Sequence, residues 1–225
     1  LTIRHALSKI YSDSLNPRTI FLNNGIYDVT TTGEMFPIYP FDYITISGIS
    51  NNETIINAQE TSNVFFIKNL IGVDINNLTI QGGNSSNGGG LFCQNTNPKL
   101  TNLIITQNYA ENKGGGIFLD KSDPIISMTE ISNNSAQLGG GISTYSYSEP
   151  TIKNTTIVNN IAEQGANGIY LQFAYYLDIV NSILWNSGNE ILGGSDGSQI
   201  NITYSDIYGG WGGVGIIKFN DENQM

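Results

Sequence analysis

ISNNSAQLGGGIST, residues 131–144, has two counterparts in this chain of 225 residues: ITQNYAENKGGGIF at 105–118 and IVNNIAEQGANGIY at 157–170. In each stretch a pair of amide side chains is followed by alanine, then glycine, then an apolar residue. Successive stretches begin 26 residues apart. A repeat of this length indicates that the chain returns to the same place once per unit, so that equivalent residues lie above one another.

The same spacing extends well beyond these three stretches. One apolar position recurs at Ile75, Leu100, Ile126, Ile152 and Ile179, with weaker matches at Ile46 and Ile202. A second apolar position, directly after glycine, recurs at Leu91, Ile117, Ile142 and Ile169. About seven turns of chain are therefore in phase.

Between the turns, apolar and polar residues alternate, which is typical of strands, and no unit has a helical period long enough for a crossover helix. Leucine-rich repeats need a Leu-x-x-Leu-x-Leu pattern and propeller blades are longer, so neither fits. The sequence predicts an all-β fold, a single-stranded parallel β-helix, or solenoid. Its asparagine columns are interpreted as structural stacks along the rod: Asn77, Asn102, Asn154 and Asn181, interrupted by Met128, and Asn108, Asn134 and Asn160.

We expect one domain over residues 1–225. Residues 1–13 are predicted to form a helical cap, because Ile3, Ala6, Leu7 and Ile10 share one helical face and Thr2 is a suitable N-cap. The coils are expected over about 19–208, and a partial strand and tail over 209–225. Because no leader pattern follows Leu1, we expect the chain to be part of a larger polypeptide.

Composition excludes several classes of function. The chain has nine Lys and Arg against nineteen Asp and Glu, a net charge of −10, which argues against nucleic acid and anionic membranes as partners. No apolar run is long enough to cross a membrane, so we expect no membrane insertion. The single cysteine, Cys93, is expected to be a core residue. No metal-binding motif is present, and we expect neither a metal nor another cofactor.

The phrase NSAQLGGGI (residues 134–142) resembles the glycine-rich repeats of polymorphic outer-membrane proteins, although Ile or Leu here follows the glycines instead of Ala. More broadly, the chain resembles the right-handed parallel β-helix proteins that bacteria secrete or display on their surface. The resemblance implies a right-handed coil and a secreted or cell-surface location. It does not imply an activity, because this fold includes lyases, hydrolases, adhesins and inert stalks.

Aromatic residues provide the main functional signal. If the apolar residues after glycine point inward, alternation turns Phe92, Phe118 and Tyr170 outward on one sheet, interrupted at Ser143. Nearby turns add further rings, at Tyr145, Tyr147, Tyr175 and Tyr176. Exposed rings on a rigid surface suit stacking against sugars or a protein partner. The main prediction is therefore a non-catalytic module, an adhesin-like one, that binds carbohydrate or another surface partner through these residues.

Two alternatives remain open. The first is a polysaccharide lyase or glycoside hydrolase that uses Asp120, Asp123 and Glu149, because acids on adjacent coils could flank a sugar. The second is a structural stalk of a larger surface protein. Product formation that is lost on Asp123→Ala would favour the enzyme over the module.

Overall fold

The structure is a computed structural model, and it describes residues 2–174, 176–193 and 199–209 together with the backbone of 216–218. Within these residues the chain forms one short helix, α1 (Ile3–Leu7), and four parallel sheets of nine, eight, four and six strands. Over residues 74–171 the chain visits the sheets in the constant order 1, 2, 3, 4.

Sheets 1 and 2 extend along nearly the whole rod. Sheet 1 consists of β1 (Arg18–Leu22), β3 (Ile44–Gly48), β6 (Asp74–Asn76), β10 (Lys99–Thr101), β14 (Ile125–Ser127), β18 (Thr151–Lys153), β22 (Tyr176–Val180), β25 (Gln199–Thr203) and β27 (Ile216–Lys218). Sheet 2 consists of β2 (Gly25–Asp28), β4 (Thr54–Asn57), β7 (Thr79–Gln81), β11 (Ile104–Thr106), β15 (Glu130–Ser132), β19 (Thr156–Val158), β23 (Ile183–Trp185) and β26 (Asp206–Ile207).

Sheets 3 and 4 are shorter and begin later in the chain. Sheet 3 consists of β8 (Asn84–Asn87), β12 (Tyr109–Lys113), β16 (Ser135–Leu138) and β20 (Ile161–Ala162). Sheet 4 consists of β5 (Phe65–Lys68), β9 (Leu91–Gln94), β13 (Ile117–Asp120), β17 (Ile142–Tyr145), β21 (Ile169–Leu171) and β24 (Ile191–Gly193).

The strand register reproduces the spacing of the sequence repeat. Leu100 pairs with Ile75 on one side and with Ile126 on the other, and Ile117 pairs with Leu91 and Ile142. Each of these side chains is fully buried, and burying one contributes about 1.5–3 kcal/mol. The prediction of an all-β parallel β-helix of about seven turns is confirmed.

Asparagine occupies the bend between sheets 1 and 2 because the backbone there is left-handed. Asn77, Asn102 and Asn154 have φ of 56°, 53° and 49°, a region that asparagine tolerates better than most residues. The Asn102 Nδ2 donates to Asn77 Oδ1 over 2.8 Å. Met128 takes the same conformation, with φ of 51°, and is 55% exposed. The predicted column is thus a hydrogen-bonded stack with one interruption.

Glycine is required where sheet 3 passes into sheet 4, because adjacent coils approach closely. A Cβ on Gly115 would lie 2.5 Å from the carbonyl oxygen of Ser135 and 2.6 Å from that of Gly140. Such contacts are far inside van der Waals separation, so only glycine fits. This tight passage brings the end of β12 next to the start of β13.

The N-terminal helix is shorter than the predicted cap. Thr2 Oγ1 accepts from the backbone N–H of His5 over 3.0 Å, as expected of an N-cap, and Ile3 is buried. The helix ends at Leu7, and Ile10 packs against the core from the segment beyond it. Part of the predicted 209–225 tail lies outside the described residues. No helix among the described residues is both long and apolar enough to span a bilayer.

Candidate active site

The outward face of sheet 4 has two rows of side chains, because residues two apart on a strand face the same side. The row nearer the start of each strand is here called the aromatic row, and it consists of Phe66, Phe92, Phe118, Ser143 and Tyr170. The row nearer the end is called the polar row, and it consists of Lys68, Gln94, Asp120, Tyr145 and Gln172.

The aromatic row forms a continuous stack over its first three coils. The ring centroids of Phe66 and Phe92 are 4.6 Å apart with planes within 1°, and those of Phe92 and Phe118 are 5.4 Å apart. Tyr39 extends the stack, with its ring 5.7 Å from that of Phe66. Phe118 is only 6% exposed and Ser143 is fully buried. The aromatic row is therefore partly exposed at Phe66 and Phe92 and buried at Phe118 and Ser143.

Asp120 is the only acid of the polar row. Its Oδ2 accepts a hydrogen bond of 2.6 Å from Gln94 Nε2, one coil below. Its Oδ1 is buried and has no hydrogen-bond partner. A buried polar atom without a partner costs about 1–3 kcal/mol. Asp120 therefore has a buried acceptor that no group of the protein satisfies.

A cation lies beside this row. Lys113, at the end of β12, reaches across from sheet 3, and its Nζ donates to Gln172 Oε1 over 2.6 Å. The same ammonium lies 4.8 Å from the centroid of the Tyr145 ring, a cation–π arrangement. An ammonium has three N–H donors, so Lys113 keeps donors for a ligand. The polar row, together with Lys113 beside it, thus combines a carboxylate, two amides, a phenol and two ammonium groups.

The other two predicted acids have a different setting. Asp123 and Glu149 are exposed and lie in the turn between sheets 4 and 1. The backbone N–H of Asp123 donates to Asn97 Oδ1 over 2.8 Å, and that of Glu149 donates to Asp123 Oδ1 over 2.7 Å. Asp123 thus stabilises the turn of the next coil. The structure joins Asp123 to Glu149 in this stack and places Asp120 on the sheet face instead.

Lys121 lies in the chain between Asp120 on the face of sheet 4 and Asp123 in the turn that follows. Its backbone is left-handed, with φ of 50°, which turns the chain out of the plane of sheet 4 directly after Asp120. The equivalent residues one and two coils below are Asn95 and Asn69, whose amides are joined by a hydrogen bond of 3.0 Å. Lys121 and Asp123 line a depression of about 340 Å³ at this turn. Lysine thus stands where the two coils below have asparagine, and the left-handed position in the coils above is taken by Ser146 and Phe173.

The predicted binding tyrosines are dispersed. Tyr170 and Tyr145 are partly buried on sheet 4, and the Tyr145 ring lies 5.9 Å from that of Phe173. Tyr147 is 58% exposed in the following turn, and Tyr176 begins β22 in sheet 1. Tyr175 lies outside the described residues. The rings do not form one continuous exposed surface.

Sequence reasoning missed Gln94, Gln172, Lys113 and Lys68. The first two could have been found from the repeat, because positions 94, 120, 145 and 172 follow one another at 26, 25 and 27 residues. Lys113 depends on the reach of a side chain between sheets, which the repeat does not reveal. Among the described residues no group of three or more His, Cys, Asp or Glu is placed to hold a metal ion.

Comparison with known proteins gives structural likeness alone. No family model and no curated protein sequence matches the chain. Among solved structures, a pectin methylesterase from Yersinia enterocolitica aligns with a TM-score of 0.55 and 15% identity, over 95% of this chain and 81% of its own. A pectin methylesterase mutant in complex with a hexasaccharide aligns with a TM-score of 0.57 and 12% identity, over 95% and 76%. A pectin methylesterase from Erwinia chrysanthemi aligns with a TM-score of 0.51 and 12% identity, over the same shares. The class defined by the fold is the parallel β-helix.

These comparisons correct the main functional prediction. The prediction of a non-catalytic binding module is wrong, because the similar solved structures are pectin methylesterases, which are enzymes. The physical reason is visible on sheet 4, where the middle of the aromatic row is buried and the row beside it holds reactive groups.

Proposed function

We propose that the chain is a carbohydrate esterase that hydrolyses ester groups on a polysaccharide, with Asp120 at the centre of its active site. The single observation that carries the proposal is the Asp120 carboxylate, held by Gln94 and with one oxygen unpaired, next to the aromatic row. The fold shared with pectin methylesterases makes methylated pectin the first substrate to test.

The side chains of the polar row favour ester hydrolysis over cleavage of a glycosidic bond. A glycosidase needs two carboxyl groups about 5–9.5 Å apart across the scissile bond. Among the five positions of the polar row, only Asp120 is an acid, and Asp123 is engaged with the backbone of Glu149 in the turn. One carboxylate with amide and ammonium donors is the set that a water-activated ester hydrolysis requires.

The proposed reaction uses Asp120 twice, first as base and then as acid, and uses Lys113 and Gln94 as hydrogen-bond donors. Asp120 removes a proton from a water molecule, whose oxygen bonds to the ester carbon. Lys113 and the free N–H of the Gln94 amide donate hydrogen bonds to the oxyanion that forms. When the carbon–oxygen bond to the alcohol breaks, protonated Asp120 returns the proton to the leaving oxygen. The products are an alcohol and a polysaccharide carboxylic acid, which releases its proton to the solvent, and water is the only other reactant.

The test is methanol release from methylated pectin by wild type and by Asp120→Asn. Loss of a general base lowers the rate by roughly 100-fold or more, so the variant should be nearly inactive. New reducing ends and unsaturated products are measured in the same samples. Their formation in place of methanol would contradict the esterase and favour the hydrolase or the lyase respectively.

Asp123→Asn is the matched control, because it makes the same chemical change three residues away in the turn stack. We expect it to retain its rate of methanol release, since an amide oxygen can still accept from the Glu149 N–H. Full activity in Asp120→Asn, or its loss in Asp123→Asn with the fold intact by circular dichroism, would overturn the assignment of the site.

We also propose that the protein is secreted or attached to the cell surface. Pectin and similar polysaccharides lie outside cells, which supports a secreted or surface-attached enzyme, as does the resemblance of the repeats to bacterial surface proteins. Activity found with washed intact cells or in the culture medium would support this location. Activity found only after lysis would contradict it.

A further inference from the structure

A second row of side chains follows the outward face of sheet 2, away from the candidate active site. Strand register aligns six positions on six successive coils, and they are Asn57, Gln81, Thr106, Ser132, Val158 and Trp185. Tyr208 continues the row, because its N–H bonds to the Leu184 carbonyl and its ring lies 5.0 Å from that of Trp185. This set is called the sheet 2 row.

One end of the sheet 2 row is rich in amides. A depression of about 480 Å³ is lined there by Asn57, Gln59, Glu60, Gln81, Gly82 and Gln107. Gln59 is used internally, since its Nε2 donates to Thr30 Oγ1 over 2.9 Å. The side-chain amides of Gln81 and Gln107 make no hydrogen bond with another described residue. Each can donate and accept at once, which matches the hydroxyl groups of a sugar.

The other end of the sheet 2 row is aromatic. Trp185 is 50% exposed and Tyr208 is 46% exposed, with their planes inclined at 53°. Exposed rings with a polar edge are suited to pack against the apolar faces of sugar rings. From Gln81 to Trp185 the row climbs four coils, which at ~4.8 Å each is roughly 19 Å. Ser132, in the middle of the row, is 2% exposed and donates to Glu130, so one extended ligand would contact the two ends and pass over the middle.

The sheet 2 row and the polar row differ in charge. The eight strands of sheet 2 contain no Lys or Arg, and their acids include Glu130 and Asp206. The polar row of sheet 4, in contrast, includes Lys68 and is contacted by Lys113. A face without cations and with nearby carboxylates disfavours an anionic ligand. The ligand that fits amides, hydroxyls and aromatic rings is an uncharged glycan.

From these observations we infer that the sheet 2 row is an accessory binding surface for an uncharged polysaccharide strand, distinct from the active site. The chain passes from sheet 2 to sheet 4 through sheet 3 and returns through sheet 1, so the two faces are not continuous. In a plant cell wall or a similar matrix, charged and uncharged polysaccharides are intermixed. Binding one strand here would hold the enzyme near another strand that occupies sheet 4.

The test is a calorimetric titration with three hexasaccharides: one of β-linked glucose, one of β-linked galactose, and one of galacturonic acid as the charged comparison. The protein is wild type, Trp185→Ala, the double variant Gln81→Ala with Gln107→Ala, and Asp120→Asn. We expect wild type to bind at least one uncharged hexasaccharide and to bind it more tightly than a disaccharide of the same sugar. Trp185→Ala and the double variant should each weaken this binding by about tenfold.

Asp120→Asn separates this inference from the proposed function. The accessory surface is supported if Asp120→Asn still binds an uncharged hexasaccharide and Trp185→Ala does not. This holds whether or not the esterase activity is found. Absence of binding to both uncharged hexasaccharides overturns the inference. Binding that Trp185→Ala and the double variant both retain, with thermal melts like that of wild type, also overturns it.

Discussion

At the scale of single residues, Asp120 and Lys121 show how one backbone angle creates a site. Asp120 ends β13 with its side chain on the face of sheet 4, and Lys121 then turns the chain with φ of 50°. A lysine in this region carries a strain of about 1 kcal/mol that asparagine largely avoids. The chain thus carries a positive charge directly after Asp120 in the sequence, at the cost of this backbone strain.

The first prediction compares Lys121→Asn with Met128→Asn. Both replace a strained left-handed residue by the asparagine that the coil below has at that position, so each should raise the free energy of unfolding by about 1 kcal/mol, or Tm by about 2–4 °C. Met128 lies at the bend between sheets 1 and 2, away from the polar row, and its variant should keep full methanol release. Lys121→Asn should lose part of it.

Thermal melts and rate measurements on the two purified variants check this pair. If Lys121→Asn gains stability and keeps the full rate, Lys121 has no role at the site. If neither variant gains stability, the strain attributed to the left-handed positions is wrong.

At the scale of elements, a buried ladder of amides holds sheet 2 to sheet 3. Each side-chain amide donates to the oxygen of the next, from Asn108 to Asn134, Asn160 and Asn186. The ladder ends on Glu190, whose two oxygens accept from the backbone and side-chain N–H groups of Asn186 over 2.5 and 2.6 Å. A carboxylate suits this place because it accepts with both oxygens and needs no further partner.

Glu190 makes the stability of the ladder depend on pH. The side chain is 3% exposed, and its desolvation raises the pKa of Glu190 above the ordinary 4.5, although the Asn186 hydrogen bonds oppose the shift. A raised pKa in the folded state means that the folded protein holds this proton more tightly than the unfolded chain. The resulting stabilisation is complete below pH 4.5 and is lost as pH rises through the folded-state pKa.

The second prediction follows from the raised folded-state pKa of Glu190. Glu190→Gln removes the titration and one acceptor of the ladder, so it should destabilise the protein most at low pH. The free-energy difference between wild type and Glu190→Gln, measured by urea unfolding at several pH values, should shrink as pH rises above 4.5. A difference that grows with pH would show that the folded-state pKa is lowered instead.

At the scale of the whole molecule, the rod presents faces of different chemistry on one scaffold. The repeat predicts the strands, their register and the interior asparagines, because a stacked coil imposes the same environment on every equivalent residue. Burial of Cys93, which raises the pKa of its thiol to about 12, follows from the same regularity. The sequence repeat therefore predicts the coils of the β-helix and the residues that fill its interior.

The candidate site was only partly predictable, because it depends on departures from the repeat. The repeat groups Asp120, Asp123 and Glu149, because acids on adjacent coils could flank a sugar. The left-handed backbone at Lys121 puts Asp120 and Asp123 on different surfaces, and lysine does not signal that conformation. The contact of Lys113 with Gln172 joins residues 59 apart, from two sheets, and no spacing in the sequence indicates it.

The most direct measurement of the central claim is a crystal structure of Asp120→Asn with a partly methylated galacturonate hexasaccharide. We expect the sugar to lie across sheet 4, with rings against Phe66 and Phe92 and an ester carbonyl between position 120 and the Lys113 ammonium. A hexasaccharide bound instead in the turn depression of Lys121 and Asp123, with sheet 4 left bare, would contradict the account.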